Sequence, residues 1–558
     1  MRRYLGIMGL SLLLAAALLG VEKAEEKNQK EYVVEAVPEY EAHYDNVYDL
    51  LYISEVFDGL PFEVGALYNS DRDIYYLFLP WWMKDRKSIT VYAAQDLEWE
   101  GKRIHAGESF ALEMGGKDFL LKKDGAPVHL SVSFSSRLPV LWMETDGNVM
   151  ADVHADKEYE AKISLSYLNI TGENRIRIEE ETGSIHCRGN ASFSMSSKKS
   201  YLLEGNVAVD FWGNGGAKKW VLTSNCYDAT MLRNYLTLQL AQRLKLPFTP
   251  EAGFVDLYVD GKYFGLYLMC PKIECGPGTV DIRDLDAENE EKNGKELFKR
   301  YSWITETQKG FRAESPEEIS GGYLLELDLP ERWEAEKSGF ISENEQPVVI
   351  HAPKHATVEE VKYISEFYQR FENTLCEGKE SSAYEEFIDV ESFALKYIVE
   401  EFSKNLDANI TSQFLYKDED AVSTKFFAGP VWDYDRAWGN GGVREDGIDL
   451  EDPAGFYAKG YQDSHPIWAW LCEKESFYRE VKELWREKAK PLAEEILEKD
   501  ELRSWKDRIS ASLEMDGKRW EREYLETRGE GWDYEEEYQK LYDFIVERKA
   551  FLDQEWCE

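Results

Sequence analysis

Two carboxylates spaced two residues apart in an aromatic run, Val431-Trp432-Asp433-Tyr434-Asp435-Arg436-Ala437-Trp438-Gly439, are the part of this sequence best suited to chemistry. In an extended segment residues i and i+2 face the same side, so Asp433 and Asp435 can converge on one cation or one polar network. Gly429-Pro430 before the run and Gly439-Asn440-Gly441-Gly442 after it mark turns. The acidic pair is therefore expected at the end of a short buried element. A third carboxylate, Asp407, stands in Ser403-Lys404-Asn405-Leu406-Asp407-Ala408-Asn409. A strand-like Gln413-Phe414-Leu415-Tyr416 follows it, and the stretch from Lys425 to Val431 then leads into Asp433. Taken alone, Asp407 reads as a cap or a surface charge.

A second group is Arg188-Gly189-Asn190-Ala191-Ser192, followed by Lys198-Lys199-Ser200-Tyr201-Leu202-Leu203. A glycine-containing turn with Arg before it and two lysines on the next strand offers N–H groups and cations to an anion, and phosphate is the natural one. The same residues would also make an ordinary turn and a solvated strand edge. Two other groups are set aside. Gly213-Asn214-Gly215-Gly216-Ala217-Lys218-Lys219 lacks Walker spacing, and His351 and His355 flank Pro353 without the Glu of a zinc-protease helix.

The elements that must position these groups fall into successive regions. Arg2 and Arg3 precede an uncharged run from Tyr4 to Val21, which reads as a signal peptide or a retained anchor over residues 1–24 and implies export. Residues 25–48 are acidic and polar, a linker. Residues 49–137 hold short aromatic and β-branched runs such as Ile74 to Leu79 and Val128 to Phe134, expected to form a small β-sandwich. Residues 138–465 mix strands with helices and read as an α+β domain. There, Asp228 and Leu232, Leu236, Leu240 and Leu244 predict a helix over 229–244, Val358 to Leu375 a second, and Asp260-Gly261 a hairpin turn. Residues 466–558 are helical and charged, with Phe477, Val481, Leu484 and Trp485 on one face, expected to pack on the preceding domain.

Composition narrows the function classes. The chain has 107 acidic and 66 basic residues, a formal charge of -41, which disfavours nucleic acid and anionic membrane as partners and suits a Lys/Arg-rich one. Any membrane attachment is confined to the N-terminal segment. None of the seven cysteines forms a C-x-x-C pair; Cys270 and Cys275 are close enough in sequence for a disulfide, and scattered buried thiols are the alternative.

In order along the chain, Arg188-Gly189-Asn190, Lys198-Lys199-Ser200-Tyr201, Asp228 with Leu232-Arg233-Asn234, Gly261 to Tyr267, Gly321-Gly322-Tyr323, Asn405-Leu406-Asp407 and Trp432 to Asp435 resemble the CotH family. These are spore-coat protein H-like proteins regarded as atypical, secreted or coat-associated protein kinases, and the resemblance runs from about Leu138 to the C-terminus. It implies a kinase-like domain between the β-sandwich and the helical region, and transfer of the ATP γ-phosphate to Ser or Thr of a protein substrate. The loop aspartate, hairpin and second aspartate stand in the order in which kinases place a catalytic and a magnesium aspartate. By that resemblance Asp407 is the catalytic carboxylate, and Asp433, Asp435 or both hold Mg²⁺. Arg188, Ser192 and Lys199, with Lys198 as the alternative lysine, contact ATP. Two positions depart from the pattern: Pro271 stands where the family often has Glu, and Ser412 where kinases have a magnesium-binding Asn. The competing readings are a non-catalytic surface adhesin or envelope scaffold with the same fold, and a structural Ca²⁺ site at Asp433 and Asp435.

Overall fold

Alternating apolar and polar residues favour strands, and from Leu51 to Phe134 the chain forms little else. The computed structural model describes residues 49–170, 175–213, 215–294, 301–460, 466–522, 524 and 533–557. The expected export segment and acidic linker lie outside them. Leu60–Gly65, Leu51–Phe57, Ser88–Ala93 and Ser109–Glu113 make a four-stranded sheet in that order. Leu67–Asn69, Ile74–Leu79, Ala126–Phe134, Asp118–Lys123, Leu97–Trp99 and Lys102–Ile104 make a six-stranded one. Ile53, Val91, Leu77 and Val132 share one apolar core that continues into Trp142, Tyr258 and Tyr263 of later strands.

Seven strands then close a barrel: Val140–Thr145, Ala161–Asn169, Ile176–Arg188, Ser200–Val209, Ala217–Thr223, Lys262–Pro271 and Gly253–Val259, the last pairing in parallel with the first. Asp260 and Gly261 form the expected hairpin turn, with φ of 48° and 71°, both positive as a type I′ turn requires. The helix expected from Ala229 begins instead at Arg233 and runs to Arg243. Asp228 explains the shift, because its carboxylate accepts from Thr230 N at 3.0 Å and Arg233 N at 2.8 Å and so holds residues 229–232 in a turn ahead of the helix. Val358–Leu375 is helical as expected, opened by a Thr357/Glu360 capping box. A seven-stranded sheet follows the order Tyr301–Thr305, Gln308–Phe311, Gly339–Ile341, Pro347–Ala352, Tyr323–Leu327, Gln413–Lys417, Phe427–Ala428. The chain is thus mixed α and β. All seven cysteines are free thiols, and no helix among the described residues is long and apolar enough to cross a membrane.

The helix Glu501–Arg519 docks on the barrel through polar contacts. Asp516 accepts from Leu266 N at 2.8 Å and Tyr524 OH at 2.6 Å, and Trp520 Nε1 donates to Phe264 O at 2.7 Å. Gly265, at φ 125°, leaves no room for a Cβ beside Asp516. Nearby, Asp256 accepts from Ser512 Oγ at 2.8 Å and Tyr263 OH at 2.9 Å, and burial pushes its carboxyl up to about 7. Unfolding returns it to the ordinary range near 3.9, so the folded state holds this proton more tightly. The resulting stability is complete below about pH 4 and is lost as pH rises through about 7. Thermal melts from about pH 5 to 8.5 are expected to show the wild type losing stability across neutrality and Asp256→Asn losing less of it.

Candidate functional site

A cavity of about 380 Å³ opens between the barrel and the seven-stranded sheet. Arg188, Gly189 and Ser192 line it from the end of one barrel strand, Asp407 from the turn after the helix Val390–Ser403, and Asp433 and Asp435 from the loop after Phe427–Ala428. Folding therefore brings together three groups that are far apart in sequence.

The acidic pair reaches the cavity on a turn, which corrects the expectation of an extended segment. Residues 429–434 are not in a strand, and Asp433 has φ 67°, a left-handed conformation uncommon for residues other than glycine. Anchors around it hold that geometry. Tyr434 N donates to Asn234 Oδ1 at 2.7 Å, Tyr434 OH to Glu400 Oε1 at 2.6 Å, and Trp438 Nε1 to Thr237 Oγ1 at 2.8 Å. Tyr434 is thus buried, while the aspartates on either side of it line the cavity. Asp407 lies in the short turn Leu406–Asn409, where Asn405 Oδ1 accepts from Asp407 N at 3.3 Å and Tyr457 OH donates to Leu406 O at 2.8 Å.

Among the described residues, no hydrogen bond reaches the side-chain oxygens of Asp407, Asp433 or Asp435, and all three are half-buried. Each is held above the usual carboxylate range. Burial raises Asp407 most, followed by the charges of Asp433 and Glu400. Burial raises Asp433, with Arg188 and Arg332 opposing it. Burial and the charges of Asp433, Asp407 and Asp228 raise Asp435. Half-buried carboxylates crowded together without partners repel one another and favour a cation that joins them.

The same cavity carries positive charge beside the carboxylates. The Arg188 guanidinium lies 5.0 Å from the centre of the Trp432 ring, and Arg332 and Lys272 line the same space. Gly189, at φ 92°, lets the Ser192 hydroxyl fold against its Cα, where any Cβ would collide with it. This cradle and its cations suit phosphate. The carboxylate oxygens suit a hard divalent cation. No three His, Cys, Asp or Glu side chains among the described residues cage a metal unaided. Mg²⁺, however, is ordinarily held by one or two carboxylates, with phosphate and water oxygens completing the shell, so Asp433 and Asp435 fit it as partial ligands.

The two lysines lie elsewhere. Neither is among the residues lining the cavity. Lys198 is fully buried, 2.8 Å from Asp516, and donates to Leu266 O at 2.8 Å, so it secures the helix Glu501–Arg519 to the barrel. Lys199, its neighbour on the opposite side of the chain, donates to Phe193 O behind the Gly189–Ser192 turn, and its charge helps burial lower His154 to about 3. Lys198→Ala would strand Asp516 as a buried charge, at a cost of about 3–5 kcal/mol read by chemical denaturation. Lys199→Ala is expected to leave nucleotide affinity, read by calorimetric titration, within about threefold of wild type, because Lys199 donates to Phe193 O and does not line the cavity.

Sequence reasoning missed the floor of the cavity. Glu326 Oε2 pairs with His351 Nε2 at 2.5 Å and Glu326 Oε1 accepts from Ser412 N at 3.1 Å, while Arg332 enters from the helix Pro330–Ala335. Gly321-Gly322-Tyr323 marked the start of the strand bearing Glu326, but nothing in its spacing singled out the glutamate.

No curated protein matches the chain. A model of the CotH kinase protein family matches residues 185–552, a span that opens just before Arg188, takes in Asp407, Asp433 and Asp435, and ends within the final helix. Every group gathered at the cavity lies inside that span, and this chain belongs to the CotH family.

Proposed function

We propose that the protein is an atypical protein kinase that moves the γ-phosphate of ATP to a Ser or Thr hydroxyl of an exported or surface-associated protein. The barrel and the sheet-and-helix region below it are read as the two lobes of a kinase-like domain, with the cavity as the nucleotide site. The observation that carries this reading is the cluster of three carboxylates, whose side chains have no hydrogen-bond partner among the described residues, sharing one cavity with a glycine turn and Arg188. The net charge of -41 favours a substrate rich in Lys and Arg.

In the proposed reaction the acceptor oxygen forms a bond to the γ-phosphorus as the bond to the bridging oxygen of ADP breaks. Asp407 takes the hydroxyl proton. Burial and the charges of Asp433 and Glu400 make its carboxyl bind a proton more tightly than an ordinary Asp. Arg188 and the N–H groups of the Gly189–Ser192 turn orient the phosphates. Asp433 and Asp435 would hold Mg²⁺, which supplies charge neutralisation during phosphoryl transfer. Ser412, which lines the cavity, offers a hydroxyl in place of the amide ligand of other kinases, and its N–H donates to Glu326 Oε1.

Nucleotide-dependent thermal stabilisation tests the reading. Mg-ATP at about 100 times its dissociation constant should add about 2.7 kcal/mol, and Ca²⁺ alone should add nothing comparable. Stabilisation by Ca²⁺ without nucleotide, and none by Mg-ATP, would point to a structural cation site.

A further inference from the structure

Beneath the cavity one buried carboxylate joins both acidic loops, and we propose that Glu400 is the positioning residue that holds Asp407 and the Asp433/Asp435 pair in register. The inference rests on the phosphoryl-transfer reading above. Glu400 lies on the helix Val390–Ser403, is 0% exposed, and is not among the residues lining the cavity. It acts through others. Glu400 Oε1 accepts from Tyr434 OH at 2.6 Å and from Lys396 Nζ, which also donates to Tyr434 OH at 2.9 Å. Glu400 Oε2 accepts from Asn405 Nδ2 at 3.0 Å, and Asn405 Oδ1 in turn receives Asp407 N. One side chain therefore tethers the residue between the two metal-type aspartates and the turn that carries the third carboxylate.

Stability alone is a poor reason for this arrangement. A buried Lys–Glu pair loses hydration that apolar side chains of the same size would not have to give up, so packing alone would favour the apolar pair. Geometry is a better reason. Asp433 sits in a left-handed conformation and the three cavity carboxylates repel one another, so both loops tend to spread unless something beneath them is shared. Carboxylates and hydroxyls that orient metal ligands from behind have this role in metal sites generally.

The test uses the full chain with Tyr434→Phe, Glu400→Gln and the apolar pair Lys396→Met with Glu400→Met. Mn²⁺ binding, alone and with a non-hydrolysable ATP analogue, is read by electron paramagnetic resonance, and kcat and the KM for ATP are measured at saturating Mg²⁺. Each variant is expected to bind Mn²⁺ about 10–100-fold more weakly and to lower kcat by a similar factor, with the KM for ATP changed by less than about threefold. The apolar pair should melt at or near the wild-type temperature, which separates positioning from folding. Should Glu400→Gln fail to fold, Tyr434→Phe, which removes one hydroxyl only, decides the matter. Folded variants with Mn²⁺ affinity and kcat within about twofold of wild type would overturn the proposal, because removed tethers ordinarily cost at least tenfold. If the wild type binds Mn²⁺ but transfers no phosphate, the kinase reading falls, and the Mn²⁺ series alone decides the role of Glu400. A wild type that binds no Mn²⁺, either alone or with a non-hydrolysable ATP analogue present, would overturn both.

Discussion

Asp433→Asn is expected to lower Mg-ATP-dependent phosphoryl transfer by about 10³-fold or more, the rate equivalent of several kcal/mol of lost charge stabilisation. The substitution keeps the shape of the side chain. It removes the charge that faces Arg188 and Asp435 and weakens the site's hold on a cation. Tyr434 and Trp438 still anchor the loop to Asn234, Glu400 and Thr237, so the variant should fold and melt near the wild-type temperature. Loss of one carboxylate from a mutually repelling cluster also relieves Asp407, whose affinity for protons should fall. Transfer rates measured with labelled ATP, beside melting curves of the same preparations, check both parts.

Arg548→Ala is expected to cost about 3–5 kcal/mol of stability, the usual effect of removing one partner from a buried ion pair. Arg548, on the C-terminal helix Tyr534–Cys557, is 0% exposed. Its guanidinium reaches Glu401 Oε1 at 2.8 Å, Glu401 O at 2.7 Å and Pro453 O at 2.8 Å. Glu401 also accepts from Tyr457 N at 2.6 Å and Lys459 N at 3.1 Å. Without Arg548 the segment around Pro453–Lys459 loses the hydrogen bonds of Pro453 O and Gly455 O to the C-terminal helix, keeping the Phe456 contacts with Phe551 and Trp556, and Glu401 is left as an uncompensated charge. Lys404 adds to the same lock, donating to the carbonyls of Asp449, Asp452 and Ala454 at 2.6–2.9 Å from a left-handed position at the end of its helix. Denaturant titration gives the size of the effect. Activity should fall with it, because Tyr457 bonds Leu406 beside Asp407.

Local patterns in the sequence announced the elements with strong signals. The Asp260-Gly261 turn, the helix Val358–Leu375 and the stripe of Phe477, Val481 and Leu484 each follow from spacing alone. Where a side chain overrides propensity, sequence is a weaker guide. Asp228 delays the helix to Arg233, and the tethers on Tyr434 stabilise a turn at a place where alternation suggested extended chain.

Asp433 and Asp435 could be named as cavity residues from sequence because acidic residues in an aromatic run have few reasons to be there, whereas Asp407 stands out only through the family resemblance. The lysines could not be assigned in the same way. Which side of a strand meets a helix from the far end of the chain depends on long-range packing, and Asp516 claims Lys198 from the C-terminal region. Glu400 was hidden for a related reason. In a helix reading Val390-Glu391-Ser392-Phe393-Ala394-Leu395-Lys396-Tyr397-Ile398-Val399-Glu400-Glu401, a Lys and Glu spaced by four look like an ordinary surface pair, and only burial of that face distinguishes them.

Incubation of the purified chain with γ-labelled ATP and Mg²⁺, with the label followed on the chain itself and on a Ser-containing, Lys/Arg-rich peptide, tests the proposed phosphotransfer most directly. Label on Ser or Thr with wild type, and none with Asp407→Ala or Asp433→Asn, is the expected result. Equal labelling by all three proteins, or no labelling and no nucleotide-dependent stabilisation of the wild type, would contradict it.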